Sequence, residues 1–239
     1  MSLGFYAEKD RTSVLPHPHI SLPVFLVVEN GIRAAWELIR TNPRPGFDLL
    51  NAYEDVITHE LHERLYDEIF NKNVVEGFDR ELLTVVTRES KVRNYDGATL
   101  DKMPDLLFGL ADRPDVFRLT QDWLFVECKP VDSMHSAGVH YCGKGIIRFV
   151  KGEYAWAMTS ALMVGYARSG YTILPKLADA LKASSVVSTL EYPVHCRHSK
   201  AGLNSEVVHI TRHARRFIYV ETKQPAKAIT IRHLWLKRE

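Results

Sequence analysis

Cysteine is scarce: three residues, Cys128, Cys142 and Cys196, in a chain of 239. They form no CxxC pair and leave one over in any pairing. That argues against a disulfide framework and fits a reducing, cytoplasmic compartment. No apolar run approaches the roughly 20 residues of a membrane-spanning helix. The longest, Ala155 to Ala167, is broken by Thr159, Ser160 and Gly165 and predicts a buried helix. A basic segment followed by an apolar core is missing at the start, so no secretion signal is expected. Long polar tracts, internal repeats and low-complexity segments are also missing, which argues against extensive disorder. Net charge is only +2. Attraction to phosphate therefore has to come from local clusters rather than from overall composition.

Several catalytic signatures are absent too. No GxGxxG follows a strand-like run, Gly143-Lys144-Gly145 is too short for a P-loop, and no Gly-x-Ser-x-Gly elbow occurs. His59 and His62 stand three apart rather than the four of a zinc-protease helix. Dinucleotide-binding, NTPase, serine-hydrolase and metalloprotease readings are all weak.

What is present is an ordinary globular composition, 46% apolar and 25% charged, long enough for one large domain. Residues 1–23, with Pro16, Pro18 and Pro23, predict an extended arm. Val24 to Val28 reads as a short strand or as the start of a helix that continues through Thr41, where Asn42-Pro-Arg-Pro-Gly46 ends it. Leu50, Tyr53, Ile57, Leu61, Leu65 and Ile69 recur at three- and four-residue intervals and predict a long helix from about Phe47 to Phe70. The period then changes. Leu82 to Thr87, Pro104 to Leu110 and Asp122 to Lys129 are short β-type runs, with a turn at Asn94 to Gly97. A second helix is expected from Gly152 or Glu153 to about Ser169, a strand over Tyr171 to Leu174, and a third helix over Lys176 to Ser184. Strand-like runs at Val207 to Ile210, Arg216 to Glu221 and Ala228 to Leu236 close the chain. The order is that of an α/β domain with a central mixed sheet flanked by helices.

Two of the apolar runs carry charges. Asp105 and the segment Glu127-Cys128-Lys129 lie inside otherwise apolar strands, where a charge is costly unless it is paired or binds metal. On a strand, Glu127 and Lys129 project from the same face, and Asp105 on a neighbouring strand can lie beside them. Two carboxylates converging with a lysine suit a hard divalent cation. Such an ion polarises a phosphate and acidifies a bound water, while the ammonium orients that water or stabilises developing charge.

Pro104-Asp105 followed by Glu127-x-Lys129 resembles the motif of the PD-(D/E)XK, restriction-endonuclease-like nuclease superfamily. The resemblance spans about residues 47–174. It implies an αβββαβ core, Mg²⁺ or Mn²⁺ held by Asp105 and Glu127, and Lys129 assisting water. It also implies a glutamate from the first core helix. Glu54 and Glu60 both qualify, but six residues turn about 240° around a helix, so they cannot share a direction. Glu54 is favoured because it neighbours Tyr53 and lies one turn before Ile57. The expected organisation is a single domain over 1–239, with an N-terminal arm and helix in 1–46 and a basic, β-rich extension in 185–239. The expected activity is DNA endonucleolysis of restriction, defence or repair type, with DNA as partner, no membrane, and a homodimer conceivable because cutting two strands needs two centres. The alternative is an inactive nuclease-fold module that binds nucleic acid or a protein.

Weaker signals surround this core. Lys144, Arg148 and Lys151, between the third strand and the predicted second helix, are candidates for a phosphate-binding groove. Glu153 or Lys151 is a candidate for a polar helix residue near the metal. Tyr154, Trp156 and Tyr166 read as core aromatics in preference to base-stacking platforms. The basic tail, including Arg215, Arg232 and Arg238, reads either as a ribbon for nucleic-acid backbone or as a solvated sheet face. Cys196, His198, His209 and His213 invite a zinc reading. Strand-like alternation over Val207 to His213 argues against it, since four strand residues span roughly 13 Å.

Overall fold

The computed structural model describes residues 15–111, 113, 121–168, 170–183, 190–191, 193–200 and 207–239, with the side chains of 193–200 and 207 excepted. Seven strands form one mixed sheet: β1 (Leu83–Arg88), β2 (Leu106–Leu110), β3 (Trp123–Val131), β4 (Ser160–Ala167), β5 (Pro193–Lys200), β6 (Val207–His213) and β7 (Ile229–Lys237). Their spatial order is β1-β2-β3-β4-β7-β6-β5. β1, β2 and β3 run antiparallel, β4 lies parallel to β3 and to β7, and β7, β6 and β5 are antiparallel again.

Helix α1 spans Leu22–Thr41, with Pro23 in its first turn, where a missing N–H costs nothing. Val24 to Val28 is therefore helix, and the expected arm is shortened by the two residues that open α1. Residues 1–14 lie outside the described part. Helix α2 covers Glu54–Glu63 and continues as a π-helical segment, Arg64–Phe70. The predicted long helix thus begins seven residues later than expected, because Asp48 turns the chain by accepting from the Leu50 and Asn51 N–H groups. After β3, a π-helical segment Ala137–Ile146 runs into the short helix α3, Ile147–Val150. Helix α4 is Ile173–Lys182.

Three expectations are corrected here. The apolar run Ala155 to Ala167 is not a helix; its second half is β4, buried at all eight positions. A parallel strand covered on both faces loses the alternation that marks strands, so its sequence mimics a buried helix. The true crossover helix precedes it, at residues 137–150, and Tyr171 to Leu174 leads into α4 instead of forming a strand. Arg216 to Glu221 contributes only an isolated bridge, Ile218 to Pro225. The order helix, three strands, helix, strand survives with its last helix and strand displaced towards the N-terminus.

The two covering layers can be assigned from single contacts. Tyr166 stacks on Trp36 of α1, 5.4 Å between centroids, and its hydroxyl lies 2.9 Å from Thr58 Oγ1 of α2. Met163, three residues earlier and so on the opposite face, has its side chain against Gly145. Helices α1 and α2 thus cover one face, and residues 137–150 the other.

The C-terminal stretch is not an appendage. β7 pairs with β4 over eight residues, and several of its basic side chains are internal. Arg232 makes a buried bidentate pair with Glu29 of α1, at 2.5 and 2.9 Å. Arg215 donates to the carbonyls of Ala155, Trp156, Met158 and Lys227. Arg238 donates to Leu49, Leu50 and Ala52, which fixes the turn leading into α2. These three arginines serve the fold, so the picture of a basic ribbon facing solvent fails for them.

Candidate functional site

β2 and β3 part where the chemistry sits. Their pairing ends at Leu106 with Val126, while β3 continues to Val131. The N–H of Cys128, left without a ladder partner, donates to Asp105 Oδ2 at 2.6 Å. Pro130, two residues on, turns its nitrogen to the same unpaired side, where a missing donor is harmless. The sequence Glu-Cys-Lys-Pro therefore fits a strand whose neighbour has just ended.

Through this opening four residues from three elements meet. Lys129 Nζ lies 2.5 Å from Glu54 Oε1, 2.9 Å from Glu127 Oε1 and 3.6 Å from Asp105 Oδ2. Glu54 stands in the first turn of α2, where the helix dipole also favours a carboxylate. Glu60, the other candidate, points elsewhere: it pairs with Arg64 at 2.8 Å and with Arg44 at 3.5 Å. The structure thus brings together Asp105, Glu127, Lys129 and Glu54, and leaves Glu60 in a structural ion pair.

Depth is graded across the cluster. The side chain of Glu127 is fully buried, those of Asp105 and Glu54 are 17% and 27% exposed, and that of Lys129 is 9% exposed. Burial, reinforced by nearby Asp105, pushes the Glu127 carboxyl up to about 8, against the opposing pull of Lys129, Arg148 and Tyr154. Burial also raises Glu54, and Lys129 only partly offsets it. Burial on its own would depress the Lys129 ammonium. Glu127, Asp105 and Glu54 together outweigh that and hold its pKa above the ordinary lysine value. Lys129 is therefore a firmly protonated donor.

Two further side chains complete the surroundings. The Tyr154 hydroxyl donates to Glu127 Oε2, while Glu127 Oε1 faces the Lys129 ammonium at 2.9 Å. Arg148 Nη1 lies 3.4 Å from that same Oε1. Close approach of the crossover helix depends on Gly145, where a Cβ would stand 2.6 Å from Met163 Cε and 3.3 Å from Lys129 Cγ.

Of the proposed groove residues, only Arg148 reaches the cluster. Lys144 lies on the π-helical segment beside a separate cleft of about 610 Å³ with Ser136 and Tyr171, and Lys151 is an exposed residue just past α3. None of the three sits in an inter-element loop before a helix, because the helix is the segment that carries the first two. Glu153 pairs with Lys102 at 3.4 Å rather than entering the site. Tyr154, Trp156 and Tyr166 are buried core aromatics, as expected. The contact of Tyr154 with Glu127 had no signal in the sequence, since an aromatic in an apolar run looks the same whether or not its hydroxyl has a task.

Among the described residues no three His, Cys, Asp or Glu side chains form a ready-made cation cage; the three carboxylates here gather about an ammonium instead. The residues of the zinc reading divide. Val207 to His213 is a strand, as its alternation indicated, and the side chains of Cys196 and His198 lie outside the description. No helix among the described residues is long and apolar enough to cross a membrane. Comparisons with family models, with curated proteins and with solved structures found no match to this chain.

Proposed function

We propose that the chain is a metal-dependent nuclease of the PD-(D/E)XK, restriction-endonuclease-like type that hydrolyses phosphodiester bonds in DNA. One observation carries the reading: Asp105, Glu127 and Glu54 converge on the ammonium of Lys129, at the point where two antiparallel strands part. The element order around that point, α2, β1, β2, β3, crossover helix, then β4 parallel to β3, supports it.

The donor set fits Mg²⁺ or Mn²⁺. Such ions take oxygen ligands, and among the described residues three carboxyl groups here face two cations, Lys129 and Arg148. Glu127 answers the imbalance by holding its proton to about pH 8, with its Oε1 turned to Lys129 and Arg148. Asp105 and Glu127 would hold the ion. When bound, it supplies Lewis acidity towards the phosphate and lowers the pKa of a coordinated water.

The protein groups have distinct tasks. Water oxygen bonds to phosphorus as the bond from phosphorus to the leaving sugar oxygen breaks. Lys129, protonated and held among the carboxyl groups of Glu54, Asp105 and Glu127, orients the water and faces the negative charge that builds on the phosphate. It does not act as a base. Glu54 is the better acceptor for the water proton, being raised in pKa and partly exposed. A cluster that rises from a buried floor to an exposed rim suits a phosphate on a polymer lying across the surface.

Nicking of supercoiled plasmid by the purified protein tests this. Cleavage is expected with Mg²⁺ or Mn²⁺, lost with EDTA, and lost in Asp105→Ala and Lys129→Ala variants that keep the wild-type circular dichroism spectrum. Absence of cleavage by wild type with either ion, or undiminished cleavage by Asp105→Ala, overturns the reading. Metal-independent binding of DNA without cleavage supports instead an inert nuclease-fold binding module.

A further inference from the structure

We infer that Arg148 is a catalytic residue that grips a non-bridging oxygen of the scissile phosphate; the inference rests on the nuclease reading above. Its position is set by the close packing of the crossover helix. Gly145, one turn before Arg148, lets that helix lie directly against Lys129 and Met163, so the Arg148 guanidinium projects over the same floor. Nη1 lies 3.4 Å from Glu127 Oε1, yet 37% of the side chain is exposed. The group therefore meets the buried Glu127 and Tyr154 on its inner side while part of it stays open to solvent.

A guanidinium carries five N–H donors in a planar array that matches the oxygens of a phosphate. Here its neighbours among the described residues are Glu127, Tyr154 and, at longer range, Glu153. Tyr154 already donates to Glu127 Oε2, so this carboxylate is held without Arg148. Arg148 directs donors to Glu127 and Tyr154, and the exposed 37% of its side chain leaves others for a phosphate that would approach Lys129 and Asp105. Lys144 and Lys151 share none of this geometry.

The inference separates two roles by kinetics. A groove residue strengthens ground-state binding, and its loss raises KM and flattens the salt dependence of binding. A donor aimed at charge that develops in the transition state lowers kcat on removal, by about 10²–10³-fold. Steady-state cleavage of a labelled duplex by wild type, Arg148→Ala and Arg148→Lys, with DNA binding followed by fluorescence anisotropy in EDTA, distinguishes them. Arg148→Ala is expected to lose kcat on that scale, with KM and metal-free affinity changed less than about threefold. Arg148→Lys should recover only a small part, because a point charge cannot reproduce the planar array. A kcat within about threefold of wild type in Arg148→Ala overturns the inference. So does a loss that resides in KM and metal-free affinity. Failure of wild type itself to cleave is a different result, which removes the nuclease reading and this inference together.

Discussion

Acid should destabilise this protein through its buried histidines, His233 and His213, and for His213 the sign and size can be worked out from its hydrogen bonds. Tyr141 donates its hydroxyl to the Met163 carbonyl and so must accept from His233 Nδ1, 3.0 Å away. His233 Nε2 is then an acceptor and takes the hydroxyl proton of Thr211, at 2.8 Å. Thr211 Oγ1 in turn accepts from His213 Nε2, at 2.7 Å. The chain of donors leaves His213 Nδ1 as a bare lone pair, buried without a partner among the described residues. Adding a proton there creates a cation inside the protein with nothing to receive its new N–H. Burial accordingly lowers His213 from 6.5 to about 4. In the unfolded chain the imidazole binds a proton below about 6.5, whereas in the folded chain it does so only below about 4. The stability this neutral histidine preserves is complete above 6.5 and declines as pH falls through the window to 4, by about 3 kcal/mol in all. Glu127 acts in the opposite direction over part of this range, so the absolute profile does not isolate His213. The difference between wild type and His213→Gln does. Urea unfolding followed by tryptophan fluorescence at pH 7, 5.5 and 4.5 should show wild type losing about 2–3 kcal/mol more than the variant between the extremes. Parallel profiles, whatever their absolute heights, would refute the reasoning.

Other perturbations have equally definite signs. Glu127 keeps its proton to about pH 8 in the folded state against about 4.5 when unfolded. The metal-free protein should therefore lose stability as pH climbs through that interval, and Glu127→Gln should flatten the decline in a series of melting curves. Removing Glu29 leaves the buried Arg232 guanidinium unpaired, so Glu29→Ala should cost about 3–5 kcal/mol. The double replacement Glu29→Met with Arg232→Met should cost much less in the same denaturation assay. Finally, Glu54→Ala should abolish cleavage with little change in melting temperature. Glu60→Ala should do the reverse, because Glu60 only holds Arg64 and Arg44.

The parts of the molecule that were readable from sequence share a physical cause. Asp105, Glu127 and Lys129 stood out because charges inside apolar β-runs violate the usual pattern, and such violations mark either pairing or chemistry. Helical rotation shows only that Glu54 and Glu60 point apart; the preference for Glu54 leans on Tyr53 as part of a buried face, whereas Tyr53 is exposed at the N-cap of α2. The crossover helix was misplaced for the opposite reason. Its glycines, Gly138, Gly143 and Gly145, together with Lys144, made the segment look like a loop. Of these glycines, Gly145 lies against Lys129 and Met163 of the sheet and lets the segment press onto it. The strand after it, Ser160–Ala167, is apolar on both faces and so has no period to read. The basic tail misled because charge at the sequence level does not reveal whether a guanidinium meets solvent or, like that of Arg215, a set of backbone carbonyls.

The misplacement bears on the site as well as on the fold. With the helix expected after residue 152, Arg148 belonged to a loop, and a loop arginine suggests loose electrostatic attraction to a nucleic-acid backbone. With the helix ending at Val150, Arg148 occupies a helix that packs closely on β3 beside Gly145. A guanidinium held in that way can be aimed, and aim is what distinguishes a donor for a transition state from a contributor to a diffuse field. The same shift accounts for Tyr154, which follows the helix in the turn leading to β4 and so reaches Glu127 from beneath. Arg148 and Tyr154 thus bracket Glu127 from the open and closed sides of the site. Exchanging Tyr154 for Phe should lower activity by releasing Glu127 Oε2, while leaving the Arg148 contact with Oε1 in place. A Tyr154→Phe protein with wild-type kcat would mean that the hydroxyl serves only to satisfy a buried carboxyl.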